Sequence, residues 1–266
     1  MISLLIFGVG LAAGFVDAIA GGGGLIMLPG LLFAGLPVSS AIATNKLCGT
    51  FGALTSTLKF AHSRQIDWRV CAQMSLPIIA GSYIGSRSID RLPTDWAEPI
   101  VIALIVAITT FIVLNPSFGT EKKPASTDTP SPPETSSQTA KHPFKPIALS
   151  LISGAAIGFH DGFFGPGTGI FLVFSLLSIR SIDFLKATGT TKLLNFLANI
   201  TALITFALSG NIVYSLGLFG AAGVITGSYI GASFAAKKGA TFIRPIFIVV
   251  TTALVIKLAV EYFAAS

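Results

Sequence analysis

Apolar residues in this chain run in long blocks rather than alternating with polar ones, and short polar loops separate the blocks. Apolar spans lie near 40–61, 70–86 and 97–114, and again near 187–208, 213–233 and 243–262. Each approaches the roughly 20 residues, at about 1.5 Å apiece, that a helix needs to cross a bilayer. Ahead of each trio stands a longer apolar stretch, 1–36 and 147–179, too long for one span. Gly21 to Gly24, followed by LIMLPGLLFAG, read as a break and a shorter returning helix. The predicted fold is an all-α polytopic membrane protein of about eight to ten membrane segments.

The second trio repeats the first. GFVDAIAGGGGLIML (14–28) matches GFHDGFFGPGTGIFL (158–172) at an offset of 144. Further on the offset is 146: Thr44-Asn45-Lys46-Leu47 matches Thr190-Thr191-Lys192-Leu193, and GSYIG at 81–85 returns unchanged at 227–231. An ordered series of this kind marks two homologous units. The chain therefore reads as an N-terminal membrane repeat, 1–114, a linker, 115–146, and a C-terminal membrane repeat, 147–266. Each repeat has a glycine-broken first helix pair plus three spans.

Composition places these helices in lipid. Of 266 residues, 52% are hydrophobic and 11% are charged, with a mean hydropathy of +0.81. Soluble domains carry about 25% charged residues, so a soluble enzyme is excluded. The net charge of +6 suggests a nucleic-acid surface, but the basic residues sit in loops between apolar runs, where membrane topology accounts for them. No nucleic-acid partner is expected. The linker holds seven of the chain's 14 prolines and is rich in Ser and Thr, a composition that forms a flexible tether. Cys48 and Cys71 have no metal-ligand spacing and read as buried reduced thiols. The opening segment ends in a small-x-small pattern at Ala18 and Ala20, like a signal-peptidase site. It has no basic residue before Lys46 and recurs in the second half, so it is expected to stay as a membrane segment.

Loop charges then choose an orientation. The loop at 36–39 has no basic residue, whereas its equivalent at 179–187 has Arg180 and Lys186. The loop at 62–69 has Arg64 and Arg69, whereas its equivalent at 209–212 has none. Equivalent loops of opposite character are expected when two repeats insert inverted. With the linker, 62–69, 179–187 and 236–244 on the cytoplasmic side, eleven Lys and Arg lie inside and two, Arg87 and Arg91, outside. That fits the excess of basic residues in cytoplasmic loops. Both termini would be external.

Candidate chemistry is confined to a few positions. At a helix break, uncovered backbone N–H groups and the positive helix end attract anions, even within a membrane. Gly21, Gly22, Gly23 and Gly24, and Gly165, Gly167, Thr168 and Gly169, are placed to make such breaks. Close helix packing is the alternative reading, since small residues favour it. The repeat-related Lys46 and Lys192 lie inside spans, where a charge costs roughly 2.5–3.5 kcal/mol. Facing one midplane cavity, they would bind a small anion. Alternatively they pair with Asp17 and Asp161, which are also repeat-related. Asp17, Asp161 and His160 are the candidates for carrying a coupling proton. Thr44, Asn45, Thr190, Thr191 and Asn195 adjoin the lysines as oxyanion donors or helix bridges, and Tyr83 and Tyr229 read as packing residues. No catalytic constellation, metal cluster or cofactor motif is present in the sequence.

GFVDAIAGGGGLIMLPGLLFAGLPVSSAIATNKL, its weaker echo GFHDGFFGPGTGIFL with TTKL, and the paired GSYIG motifs resemble the TauE/SafE sulfite-exporter family of membrane permeases, TSUP type. The resemblance covers all but the linker. It implies a multi-pass inner-membrane protein that moves sulfite or related sulfur oxyanions and organosulfonates, with the glycine-rich stretches, Asn45-Lys46 and Thr191-Lys192 at its functional positions. The departures Thr191 for Asn45 and Pro166 for Gly22 make the two halves unequal. The expected function is a secondary transporter of a small anion such as sulfite, with export as the expected direction, by alternating access; an anion channel and a membrane scaffold or sensor without transport are the alternatives. The expected partners are the anion, the lipid bilayer and protons as a candidate coupling ion, and the sequence assigns no oligomeric state.

Overall fold

The computed structural model describes residues 2–91, 144–180 and 182–238, all of them in helices or short connections. The predicted spans at 97–114 and 243–262 and most of the linker lie outside these residues. The first repeat supplies α1 (Ile2–Ala20), α2 (Gly24–Phe33), α3 (Val38–His62) and α4 (Trp68–Asp90). The second supplies α5 (Phe144–Phe163), α6 (Thr168–Ser175), α7 (Phe184–Leu208) and α8 (Tyr214–Lys238), with a π-helical turn, Leu176–Arg180, extending α6. Each long apolar stretch is split as expected into a long helix and a short returning one. α5 begins at Phe144, inside the stretch read as linker, with Pro146 in its first turn where a missing N–H costs nothing.

Among the described residues, three helices are long and apolar enough to cross a membrane: Ile2–Ala20, Phe184–Leu208 and Tyr214–Lys237. α3 and α4 are of similar length but carry more polar residues. Several of those polar residues are buried inside the bundle rather than turned outward, among them Thr44, Asn45, Lys46, Thr50 and Ser82. Apolar side chains occupy the outside instead: Leu4, Leu58, Leu76, Ile152 and Leu208 are all exposed. A polar interior under an apolar surface is the arrangement that lipid selects.

The repeats interlock. The two largest helix interfaces are α1 with α8 and α4 with α5, so each repeat's first helix packs on the last described helix of the other. Glycines make both interfaces close. Gly10 and Gly14 of α1 lie against the Gly220 and Val224 backbone, and Gly227 and Gly231 of α8 against Leu11 and Phe15. The same contacts recur between the repeat-related helices, with Gly158 and Gly162 on Ile78 and Ser82, and Gly81 and Gly85 on Ala155 and Phe159. A Cβ at most of these glycines would collide with backbone, so the residue type is dictated by the approach. In each GSYIG motif the serine also faces inward. Ser82 Oγ donates to the Ala198 carbonyl at 2.7 Å, and Ser228 Oγ to that of Gly14 at 3.2 Å.

α3 and α7 form the central crossing and run antiparallel. Gly189, near the start of α7, lies against the Gln65 carbonyl beyond the end of α3. Thr44, near the start of α3, accepts at 3.1 Å from the amide of Val213, beyond the end of α7. The basic loops at 62–69 and 179–187 therefore gather at one end, and the uncharged loops at 36–39 and 209–212 at the other. At the basic end the acids serve as helix caps: Asp67 Oδ1 accepts from Arg69 and Val70 at 3.1 Å, and Asp183 Oδ1 from Lys186 at 2.9 Å.

Candidate anion site at the helix breaks

Both breaks are built on glycines that take up a left-handed backbone conformation other residues rarely adopt. α1 stops at Ala20; Gly21 follows at φ +75°, its N–H still bonded to the Asp17 carbonyl at 2.8 Å. α5 stops at Phe163; Gly165 takes φ +97° and Gly167 φ +86° before α6 begins. A Cβ costs roughly 1–2 kcal/mol in this left-handed region. The breaks also touch. A Cβ on Gly21 would come within 2.7 Å of Gly169 Cα, and one on Gly24 within 3.1 Å of Pro166 Cα. Close packing and chain reversal both hold here, so the two readings of the glycine runs are not rivals.

The reversal leaves donors uncovered. The amides of Gly22 and Gly24, and of Gly167 and Gly169, make no hydrogen bond among the described residues. Gly22, Gly167 and Gly169 are buried. Buried backbone N–H groups almost always find a partner, and those at helix starts carry partial positive charge.

Each lysine crosses to the other repeat's break. Lys46 Nζ lies 2.8 Å from Asp161 Oδ2, and Lys192 Nζ lies 3.6 Å from Asp17 Oδ2. Lys192 Nζ also donates to the Asp17 carbonyl, and Lys46 Nζ stands beside Gly165. Rather than facing one shared cavity, the ammonium groups form two separate pairs. Each lysine sits four residues short of its helix midpoint, about 6 Å along the axis. Because α3 and α7 are antiparallel, those displacements are opposite. All four charged groups are removed from bulk solvent, the lysines and Asp161 at about 1% exposure and Asp17 at 15%.

The residues beside the lysines divide. Thr44 and Thr190 are committed to the connections, Thr44 as described and Thr190 accepting from the Asp67 amide at 3.0 Å. Thr191 Oγ1 is buried without a hydrogen-bond partner among the described residues, and Asn45 Nδ2 lies beside Gly24. A small cavity bounded by Asp17, Gly23, Asn45, Cys48, Gly49 and Val224 leaves about 20 Å³ for the centre of a water molecule. In the second repeat the Thr168 hydroxyl donates to the Gly165 carbonyl at 2.7 Å and lies 3.3 Å from His160 Nδ1. The imidazole is edge-on to Phe164 and Phe171.

Asn199, which joins the sequence candidate Asn195, and the serines of GSYIG escape a sequence reading. Asn199 Nδ2 donates to Asn195 Oδ1 at 3.0 Å, and Asn199 Oδ1 faces Gly49 at the α3–α7 crossing. Their four-residue spacing within an apolar span is the available signal. In GSYIG, Ser82 and Ser228 are the buried residues, whereas Tyr83 and Tyr229 are 49% and 54% exposed. This corrects the expectation that the tyrosines pack. They face outward because the glycines and serine take the inner face, and Tyr229 instead carries the Lys59 ammonium 3.7 Å above its ring.

The model of the family described as "Sulfite exporter TauE/SafE" matches residues 6–258. The chain belongs to the TauE/SafE family. Among its TauE/SafE relatives is a probable membrane transporter protein, ORF9, of Sinorhizobium sp, 34% identical over 94% of this chain and 89% of its own. A probable membrane transporter protein of Haemophilus influenzae is 31% identical, over 97% and 94%. Probable membrane transporter protein YfcA of Escherichia coli K12 is 30% identical, over 96% and 88%. No solved structure matches the chain at a significant level. This TauE/SafE member is thus an integral membrane protein of a transporter family, not of an enzyme family.

Proposed function

We propose that the chain is a secondary transporter that exports a small oxyanion, such as sulfite or a related sulfur oxyanion or organosulfonate, across the inner membrane by alternating access. The observation that carries this reading is the meeting of two helix breaks with uncovered amides, each reached by a buried lysine from the opposite repeat. Amides at helix starts and a desolvated ammonium are complementary to an anion with several acceptor oxygens. Lys192, the glycines of both breaks, Asn45 and Thr191 are its contacts; Lys46, through its pair with Asp161, holds the second break beside it, and Thr168, Thr44 and Thr190 support it from the connections.

The antiparallel course of α3 and α7 supports an inverted repeat, with the basic loops and linker cytoplasmic and the termini external. Contact between Gly21 and Gly169, flanked by two closed ion pairs, supports a carrier over an open channel. The interlocked packing also shapes the motion. Rocking one sequence repeat against the other would separate α1 from α8 and α4 from α5, the closest interfaces in the fold. The moving parts are therefore the short helices α2 and α6, which are held by much smaller interfaces.

Purified protein should be stabilised against heat by sulfite, and Lys192→Ala should abolish sulfite flux into proteoliposomes while remaining folded. Wild-type flux from that variant would remove Lys192 from the site. A linear current in place of saturable exchange would indicate a channel, and sulfite-dependent stabilisation without flux would indicate a sensor.

A further inference from the structure

The two ion pairs use the same residues at repeat-related positions, yet their surroundings differ. Lys46 and Asp161 close to 2.8 Å with both side chains about 1% exposed. Lys192 and Asp17 stand at 3.6 Å, and Asp17 is 15% exposed and lines the small cavity. Asp17 also has a second seat. Its Oδ1 accepts from the Gly23 amide at 3.2 Å, so one carboxylate is shared between the ammonium and the start of α2. In the second repeat Asp161 takes the Thr168 side chain as its second partner rather than a backbone amide. Gly167, at the position of Gly23, is turned to φ +86°, and its amide makes no bond to Asp161 among the described residues. Lys192, in turn, keeps the Asp17 backbone carbonyl as a partner when the carboxylate leaves.

We propose that Asp17 is a displaceable counter-ion, whose carboxylate holds on Lys192 the place that the transported anion takes, while Lys46–Asp161 stays closed as a strut. This rests on the anion-transport reading above and deepens it. A carboxylate and an oxyanion offer an ammonium the same kind of acceptor, so they compete for it one for one. On arrival of the anion, Asp17 withdraws towards the Gly23 amide and the adjoining cavity; on its return it expels the anion. The cavity alone admits about one water, so most of the ligand's room comes from the withdrawn carboxylate. That selects an oxyanion of a few heavy atoms, of the size of sulfite, over a bulky sulfonate.

An internal competitor lowers apparent affinity by the fraction of time the lysine is free. With the full chain in nanodiscs and sulfite, thiosulfate and methanesulfonate as probes, Asp17→Asn should bind sulfite about tenfold more tightly than wild type, as expected if Asp17 occupies Lys192 about nine-tenths of the time. Its sulfite-dependent rise in melting temperature should exceed that of wild type, and its flux in proteoliposomes should fall because nothing expels the anion. Asp161→Asn should melt lower and show no tightening. Equal or weaker sulfite binding by folded Asp17→Asn would overturn the proposal. So would failure of both Asp17→Asn and Asp17→Ser to fold, since Asp17 would then be a strut like Asp161. If wild type binds none of the three anions, the transport reading itself fails, a result separate from either of these.

Discussion

Lys46 and Asp161 illustrate what a buried charge demands of its neighbours. Neither is tolerable alone in a bilayer, and removing one partner of a buried pair typically costs about 3–5 kcal/mol. Lys46→Ala should therefore lower the melting temperature of the purified protein sharply, whereas Lys46→Ala with Asp161→Ala should recover much of the loss. A double-mutant cycle checks this, and additive effects would mean that the pair is not coupled. Gly21 carries a different constraint, a left-handed backbone pressed against Gly169. Gly21→Ala should cost about 1–3 kcal/mol in thermal stability and reduce flux. The lysines were legible in the sequence because a charge inside an apolar span must have a reason. Their partners were legible only as candidates, since Asp17 and Asp161 each stand near both lysines in the repeat pattern. Which lysine meets which aspartate is decided by the interlocking of the repeats, which no local spacing records.

At the scale of elements, the helix breaks and the six described long helices follow from block length and glycine placement. The predicted spans near 40–61 and 187–208 appear as α3 (Val38–His62) and α7 (Phe184–Leu208). GSYIG was visible as a repeated motif, yet its inner face was not. Glycine and tyrosine are both at home on a membrane helix, and only the partner helix decides which side is pressed. The structure places Gly81 and Gly85 on α5 and leaves Tyr83 outside. Gly81→Leu and Gly227→Leu should accordingly each reduce the yield of folded protein, because the intruding side chain meets backbone. Tyr83→Leu should fold normally, and size-exclusion profiles of the three variants compare them directly. Equal yields would argue that the α4–α5 and α1–α8 contacts are looser than described.

For the whole molecule, interlocking is the property with most consequence. Each repeat contributes a break, a lysine and an aspartate, and every one of these is completed by the other repeat. Neither repeat alone has a neutralised interior, which accounts for the strict echo of Asp17 and Lys46 in Asp161 and Lys192. The grouping of basic loops at one end was foreshadowed by charge counting, and the antiparallel α3 and α7 supply its geometric counterpart. Single cysteines at Arg64 and Ser209, in a background with Cys48 and Cys71 replaced, should react with an impermeant thiol reagent from opposite sides of the membrane, Arg64→Cys from the cytoplasmic side. Labelling of both from one side would contradict the inverted arrangement.

The central claim, that the breaks and their crossed lysines carry a small oxyanion, is tested most directly by counterflow of radiolabelled sulfite in proteoliposomes loaded with unlabelled sulfite. Wild-type protein should give a saturable, transient accumulation of label that is absent with Lys192→Ala. Identical label uptake by wild type, Lys192→Ala and protein-free liposomes would contradict it.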